Sequence, residues 1–210
     1  MDVYSLVVGA IQENCYIAVT QANRAVIVDP GDDADYISSV LKEKKLTPAA
    51  ILLTHGHFDH IGAVKELAAA WNVSVYAAKA EEKLLGSGRL NRAGFRYGND
   101  ERFEVTADVW LEDGDRVTVD ELEFTVIATP GHTAGSVCYS VPGRLFSGDT
   151  LFSMGVGRWD FPDGDGAALI AGIHEKLMVL PDQTQVFPGH GPATSIGNER
   201  LGNPYLEMKV

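Results

Sequence analysis

At 210 residues, 45% of them apolar and 22% charged, the chain is long enough to bury the core of one domain and too apolar to be disordered. A formal net charge of −12, with no Lys/Arg stripe to reverse it locally, argues against nucleic acid as a general partner, and residues 42–45 read as the solvated face of a helix. No run approaches the about 18 apolar residues of a membrane span, Met1-Asp2-Val3-Tyr4 resembles no leader, and Cys15 and Cys138 read as buried free thiols, so a cytoplasmic protein is expected.

In chain order, the pattern predicts strands at 15–20 and 25–29, then a helix carrying Ile37, Val40 and Leu41 on one face. A strand at 50–54 leads to a helix in which Val64, Leu67, Ala68 and Trp71 recur at i, i+3, i+4 and i+7, and a strand at 74–77 follows. Residues 86–102 (GSGRLNRAGFRYGNDER) are rich in Gly, Arg and Asn and read as a surface loop. Short strands follow at 110–111, 116–119, 122–128, 136–141 and 145–147, with hairpins expected at the turns 112–115 and 120–121. Leu169, Ile173, Leu177 and Leu180 line a last helix, with Asp165 as its N-cap and Pro181 as its stop, before a strand at 185–187. Hairpins mixed with αβ units imply an α/β layered domain, residues 1–210, with at least one mixed sheet.

The chemistry is concentrated in LLTHGHFDHIG (52–62), which holds three of the six histidines. Four segments share one design, an apolar run, a tight turn and then a metal-capable side chain: AILLT before His55, FTVIATPG before His132, RLFSG before Asp149 and QVFPG before His190. Strand ends are where layered α/β folds assemble sites, so these four endings can converge. The inventory is His55, His57, Asp59, His60, His132, Asp149 and His190, all nitrogen and oxygen donors that suit zinc, manganese or iron. Seven ligands are too many for one tetrahedral ion, and two ions with one bridging carboxylate are expected. His174, inside an amphipathic helix, reads as an ordinary surface residue.

The runs THGHFDHIGA, TPGHTAGSVCY, LFSGDTLF and VFPGHGP, with the earlier NCY and DPG, resemble the successive motifs of the metallo-β-lactamase superfamily. The resemblance implies a four-layer αββα sandwich of two mixed sheets. It implies His55, His57 and His132 on one divalent ion, Asp59, His60 and His190 on a second, and Asp149 bridging. Asp29 would orient a histidine ligand, or else simply form the turn of its DPG run. GVGRWDFPDGD and GNERLGNPYL resemble the glyoxalase II-like (hydroxyacylglutathione hydrolase) group, especially its short single-domain bacterial members. That likeness implies zinc first, with iron or manganese as alternatives, and hydrolysis of a small thioester such as S-lactoylglutathione. The attacking group would be a metal-bridging hydroxide held at Asp59 and Asp149. No serine or cysteine nucleophile is required: Gly-x-Ser-x-Gly is absent and Cys138 has no evident activating partner. Arg158 either reads a substrate carboxylate or pairs with Asp160 or Asp163. The stretch after His190 is too short for the C-terminal helical domain that supplies much of the thiol site in full-length glyoxalase II. True β-lactamases, often secreted and often with a cysteine ligand, fit less well. The alternative of the same motifs is a persulfide dioxygenase, with one iron on His55, His132 and Asp149.

Overall fold

In the computed structural model, which describes residues 1–207, the first half of the chain builds one six-stranded sheet and the second half another. Strands β1 (Asp2–Val8), β2 (Glu13–Val19) and β3 (Arg24–Val28) run antiparallel. β3, β4 (Thr47–Leu53), β5 (Ser74–Ala78) and β6 (Val109–Leu111) then run parallel. Helix α1 (Ala34–Glu43) connects β3 to β4, and α2 (Phe58–Ile61) and α3 (Val64–Trp71) connect β4 to β5. Between β5 and β6 lie α4 (Glu82–Leu85) and α5 (Ala93–Tyr97).

The second sheet takes β7 (Arg116–Val119), β8 (Leu122–Ala128), β9 (Val137–Val141) and β10 (Arg144–Gly148) as an antiparallel run. A two-stranded ribbon, β11 (Leu151–Phe152) with β12 (Gly155–Val156), and helix α6 (Gly166–Gly172) come before β13 (Gln185–Pro188). β13 pairs with β10 in parallel, β14 (Thr194–Ser195) forms the edge, and α7 (Ile196–Gly202) follows.

Strand alternation decides the layers. Along β4, Ile51 and Leu53 pack with Ile37, Leu41 and Leu67 of the helices, whereas Ala50 and Leu52 join Phe124, Tyr139 and Phe146 of the other sheet. On the far face of the second sheet, Cys138, Leu145 and Val186 meet Leu169, Ile173 and Leu177. The result is the four-layer αββα sandwich. The Tyr139 hydroxyl crosses between the sheets to the Leu53 carbonyl at 2.9 Å. Cys15 and Cys138 are buried and unpaired.

Beyond short elements that the sequence pattern left unmarked, such as β11, β12, β14 and α7, four features differ from expectation. β1 escapes the sequence pattern because it is an edge strand that buries only Leu6 and Val8. The turn 112–115 is not a hairpin: it carries the chain from β6 in one sheet to β7 in the other, because Leu111 and Val117 both enter the inter-sheet core. The helix expected through Leu180 starts as read, with Asp165 Oδ1 accepting the Ala168 N–H at 3.0 Å, but after Gly172 it widens into the π-helical turn Ile173–Leu177. That turn keeps Ile173 and Leu177 buried while His174 stays exposed. The segment 86–102 contains α5 and is pinned by Asn91, whose side-chain amide donates to the Phe103 carbonyl at 2.6 Å.

Candidate metal centre

The carboxyl ends of β4, β8, β10 and β13 meet at one rim, and each delivers its side chain there: His55, His132, Asp149 and His190. His57 precedes α2, and Asp59 and His60 lie in it. Three polar atoms in this cluster, His55 Nε2, His60 Nε2 and Asp149 Oδ1, are buried without a hydrogen-bond partner among the described residues. Each such group costs about 1–3 kcal/mol if nothing satisfies it. The donor atoms of His55, His57 and His132 lie within 4.8 Å of one another, and so do those of Asp59, His60 and His190. An all-nitrogen-and-oxygen set with free lone pairs fits divalent ions.

Hydrogen bonding selects which ring nitrogen faces inward. His132 Nδ1 lies 2.7 Å from the Arg158 carbonyl, which can only accept, so Nδ1 carries the proton and Nε2 is free. His60 Nδ1 donates to Asp29 Oδ2 at 3.0 Å. Thr54 Oγ1 donates to Asp29 Oδ2 at 2.6 Å and therefore accepts from His55 Nδ1 at 3.1 Å. Asp29 also accepts the Thr54 N–H at 2.7 Å, from a backbone held at φ 49° in the turn. Both its oxygens are thus engaged with groups behind the histidines, although Asp29 also lies close enough to His55 and His60 to form a third donor cluster. His57 turns its Nδ1 toward His132 Nε2 at 2.9 Å, so the two rings lie within hydrogen-bond reach of each other.

Asp149 stands between the two clusters. Its Oδ1 is 3.4 Å from His60 Nε2, and its Oδ2 is 3.5 Å from His132 Nε2 and 3.8 Å from His190 Nε2. Asp59 Oδ2 lies 3.2 Å from His190 Nε2 and 3.6 Å from His60 Nε2. The close approach of β10 to β4 that makes this possible needs Gly148, at φ +47°, because any Cβ there would overlap the Thr54 side chain.

Burial opposes charge on every group, yet the outcomes diverge. It pushes His57 down to about 3, helped by the His132 imidazole, and drives His55 well below the ordinary range together with the surrounding imidazoles. Burial would raise Asp149, but His60, His132 and His190 outweigh it and hold the carboxyl far below its usual range. Burial would likewise lower His60 and His190, and the carboxylates of Asp149 and Asp59 lift both instead.

Three contributors were missed in the sequence. Glu13 is buried on β2 with Oε1 3.8 Å from His60 Nδ1, and burial pushes its carboxyl well above the usual range. The signal was a lone acid in the wholly buried strand ENCYIAV. Arg92 shares the mouth of the site with Arg158: both guanidiniums stack on the Phe161 ring, at 4.0 and 4.3 Å from its centroid. They line a cavity of ≈ 460 Å³ with His57, Asp59, Asp149 and Phe152. Arg158 also makes the ion pair that the sequence leaves open as the alternative to substrate binding, with two 2.7 Å bonds to Asp160. The third, Glu81, has no mark in sequence beyond being an acid after a buried strand. No described helix is long and apolar enough to cross a membrane.

Residues 8–190 match the model of the Metallo-beta-lactamase superfamily. A probable metallo-hydrolase of Bacillus subtilis, YqgX, is 41% identical, over 95% of this chain and 94% of its own. The hydroxyacylglutathione hydrolase GloC of Haemophilus influenzae is 34% identical over 100% of both chains. Among solved structures, the BLEG-1 B3 metallo-beta-lactamase superposes with a TM-score of 0.92 at 40% identity, covering 99% of this chain and 100% of that one. TTHA1623 in a di-iron-bound form gives 0.86 at 37% identity, over 97% and 100% of the two chains. ETHE1 from Myxococcus xanthus gives 0.82 at 31%, over 97% and 84%. The His/Asp cluster, in this company, is a site for divalent metal. The chain belongs to the metallo-β-lactamase superfamily, and it is an enzyme of the hydrolase kind.

Proposed function

We propose that the chain is a dinuclear, glyoxalase II-like thioesterase that cleaves S-lactoylglutathione or a similar acyl thiol to an acid and a thiol. The observation that carries the reading is Asp149, with one oxygen turned to His60 and the other to His132. In this reading His55, His57 and His132 hold one divalent ion, Asp59, His60 and His190 hold the other, and Asp149 is shared. Zinc is the proposed metal. The di-iron form of a similar protein supports iron as the first alternative, ahead of manganese. When bound, such a pair supplies an acidified water and Lewis acidity toward the thioester carbonyl.

The chain's own residues do the rest. Asp59 and Asp149, held ionised, accept hydrogen bonds from the attacking water and aim its lone pair. Asp29 and the Arg158 carbonyl keep the His60 and His132 rings in the tautomers that face inward. A thiolate leaves readily, so no strong general acid is called for. Phe152, Phe161 and Val156 form an apolar wall that sheds water, while Arg92 and Arg158 present guanidiniums to a substrate carboxylate. Thiol recognition is proposed to take place at this mouth, in a cytoplasmic enzyme. GloC, a hydroxyacylglutathione hydrolase by name, supports this reading.

The likeness to ETHE1 supports a second reading, a persulfide dioxygenase with one iron on His55, His132 and Asp149. The B3 metallo-beta-lactamase name of BLEG-1 stands against setting lactams aside on sequence grounds. The test is a metal-replete preparation assayed in parallel with S-lactoylglutathione, glutathione persulfide under oxygen, and a chromogenic β-lactam. Thioester turnover well above the other two supports the proposal. Oxygen uptake or lactam cleavage without thioester turnover overturns it.

A further inference from the structure

Two loops from different sheets bring the buried imidazoles together, and one side chain touches both. Glu81 ends the 3₁₀ turn Lys79–Glu81 after β5, a segment that contributes none of the seven candidate ligands. It is 2% exposed. Its Oε2 accepts the N–H of Gly56 at 2.6 Å, and its Oε1 accepts the hydroxyl of Thr133 and the N–H of Gly135, both at 2.9 Å. Gly56 separates His55 from His57, and Thr133 follows His132 directly.

Burying a carboxylate is costly, and here burial pushes Glu81 up to about 7 against the pull of its three donors. Every one of those donors lies in a ligand-bearing loop and none in the segment of Glu81 itself. An acid needed only to settle its own turn would bond there. The fit is tight on both sides: a Cβ at Gly135 would stand 2.5 Å from Oε1, and one at Gly56 3.1 Å from Oε2. Backbone closes in there as well: the Cβ at Gly135 would stand 2.8 Å from Ala80 C and Glu81 N, and the one at Gly56 3.2 Å from Leu85 N. The spacing it controls is the one that matters, since His57 Nδ1 and His132 Nε2 belong to the two clipped loops and lie 2.9 Å apart.

We propose that Glu81 is a positioning residue that ties the loop of His55 and His57 to the loop of His132 and so sets the distance between the three imidazoles. The inference rests on reading these histidines as ligands of one ion. Glu81→Gln keeps the shape of the side chain, but its NH₂ group meets a donor head-on and releases one of the loops. The full-length protein, stripped of metal, is titrated with Zn²⁺ against a chromophoric chelator, and separately with Co²⁺ to read the ligand-field spectrum. The wild type takes two ions. The variant is expected to lose about 10- to 100-fold in affinity for one of them, with a changed Co²⁺ spectrum, while the other ion binds as in the wild type. Wild-type affinity for both ions, with an unchanged spectrum, overturns the role of Glu81. A wild type that binds no Zn²⁺ overturns the metal centre itself, which is a different failure. If the Gln variant does not fold, Thr133→Val and Thr133→Ser take its place. Weaker binding of one ion in the Val variant, restored in the Ser variant, supports the clasp, and equal binding in both overturns it.

Discussion

The two halves of the candidate centre are built differently. His55, His57 and His132 are almost wholly buried, and burial together with the neighbouring imidazoles keeps the His55 and His57 rings neutral. Asp59 and His190 stand at the rim, with 11% and 27% of their side chains exposed, and the carboxylates there lift His60 and His190 toward the charged form. The inner half is a buried cradle backed by Thr54 and Glu81, while Asp29 reaches it through Thr54 and also bonds His60 of the outer half. The outer half is a charged pair open to the cavity. On the proposed reading, an ion in the first would be held by preorganised lone pairs and one in the second by opposite charge that solvent can reach, so the outer ion should exchange faster.

The change that would erase this difference is Asp149→Ala, since in the proposed arrangement it strips a ligand from both halves. Turnover of S-lactoylglutathione is expected to fall by about 10³-fold or more, as several kcal/mol of transition-state stabilisation disappear. A residual rate near wild type would show that the halves do not share that carboxylate. Next in size, His132→Ala and His190→Ala should separate the halves. Each is expected to cost about 10- to 100-fold in affinity for one ion, with the His190 variant keeping the inner ion and the His132 variant keeping the outer one. Equilibrium dialysis with Zn²⁺ reads the two stoichiometries, and identical losses in both variants would merge the halves into one site.

The halves also answer pH in opposite senses once metal is removed. His57 takes a proton at about 6.5 when unfolded and only near 3 when folded, so it makes the metal-free protein lose stability as pH falls through that window, by on the order of a few kcal/mol. His190, raised in the folded state, contributes stability below 6.5 that is lost as pH rises through its folded value. Denaturant melts of chelator-treated wild type and His57→Asn at pH 7.5 and 5 check this: the variant should lose less on acidification. Equal losses would mean that the His57 ring is not held neutral. The smallest effect lies outside both halves. Arg92→Ala and Arg158→Ala are each expected to raise KM for S-lactoylglutathione by about 3- to 10-fold at unchanged kcat, consistent with an exposed charge-assisted contact.

How legible each half was in the sequence follows from the same construction. The contiguous HGHFDH run declares itself by density alone, whereas His132, Asp149 and His190 are single residues, readable only because each ends an apolar strand in the same way. The alternation of Ile51 and Leu53 against Ala50 and Leu52 could not show its meaning in one dimension, because both faces of β4 are buried. The fate of the 112–115 turn was hidden for a related reason: a tight turn looks the same whether it joins two strands of one sheet or crosses between two. Glu13, Glu81 and Arg92 escaped because their roles depend on partners far along the chain. Glu81 meets residues of a loop 25 positions before it and of another 52 and 54 positions after it.

The most direct test of two ions flanking Asp149 is a crystal of the metal-loaded protein measured at the absorption edge of its metal. Two anomalous peaks are expected about 3.5 Å apart, one among His55, His57 and His132 and one among Asp59, His60 and His190. A single peak held by His55, His132 and Asp149, with nothing beside His190, would contradict the account.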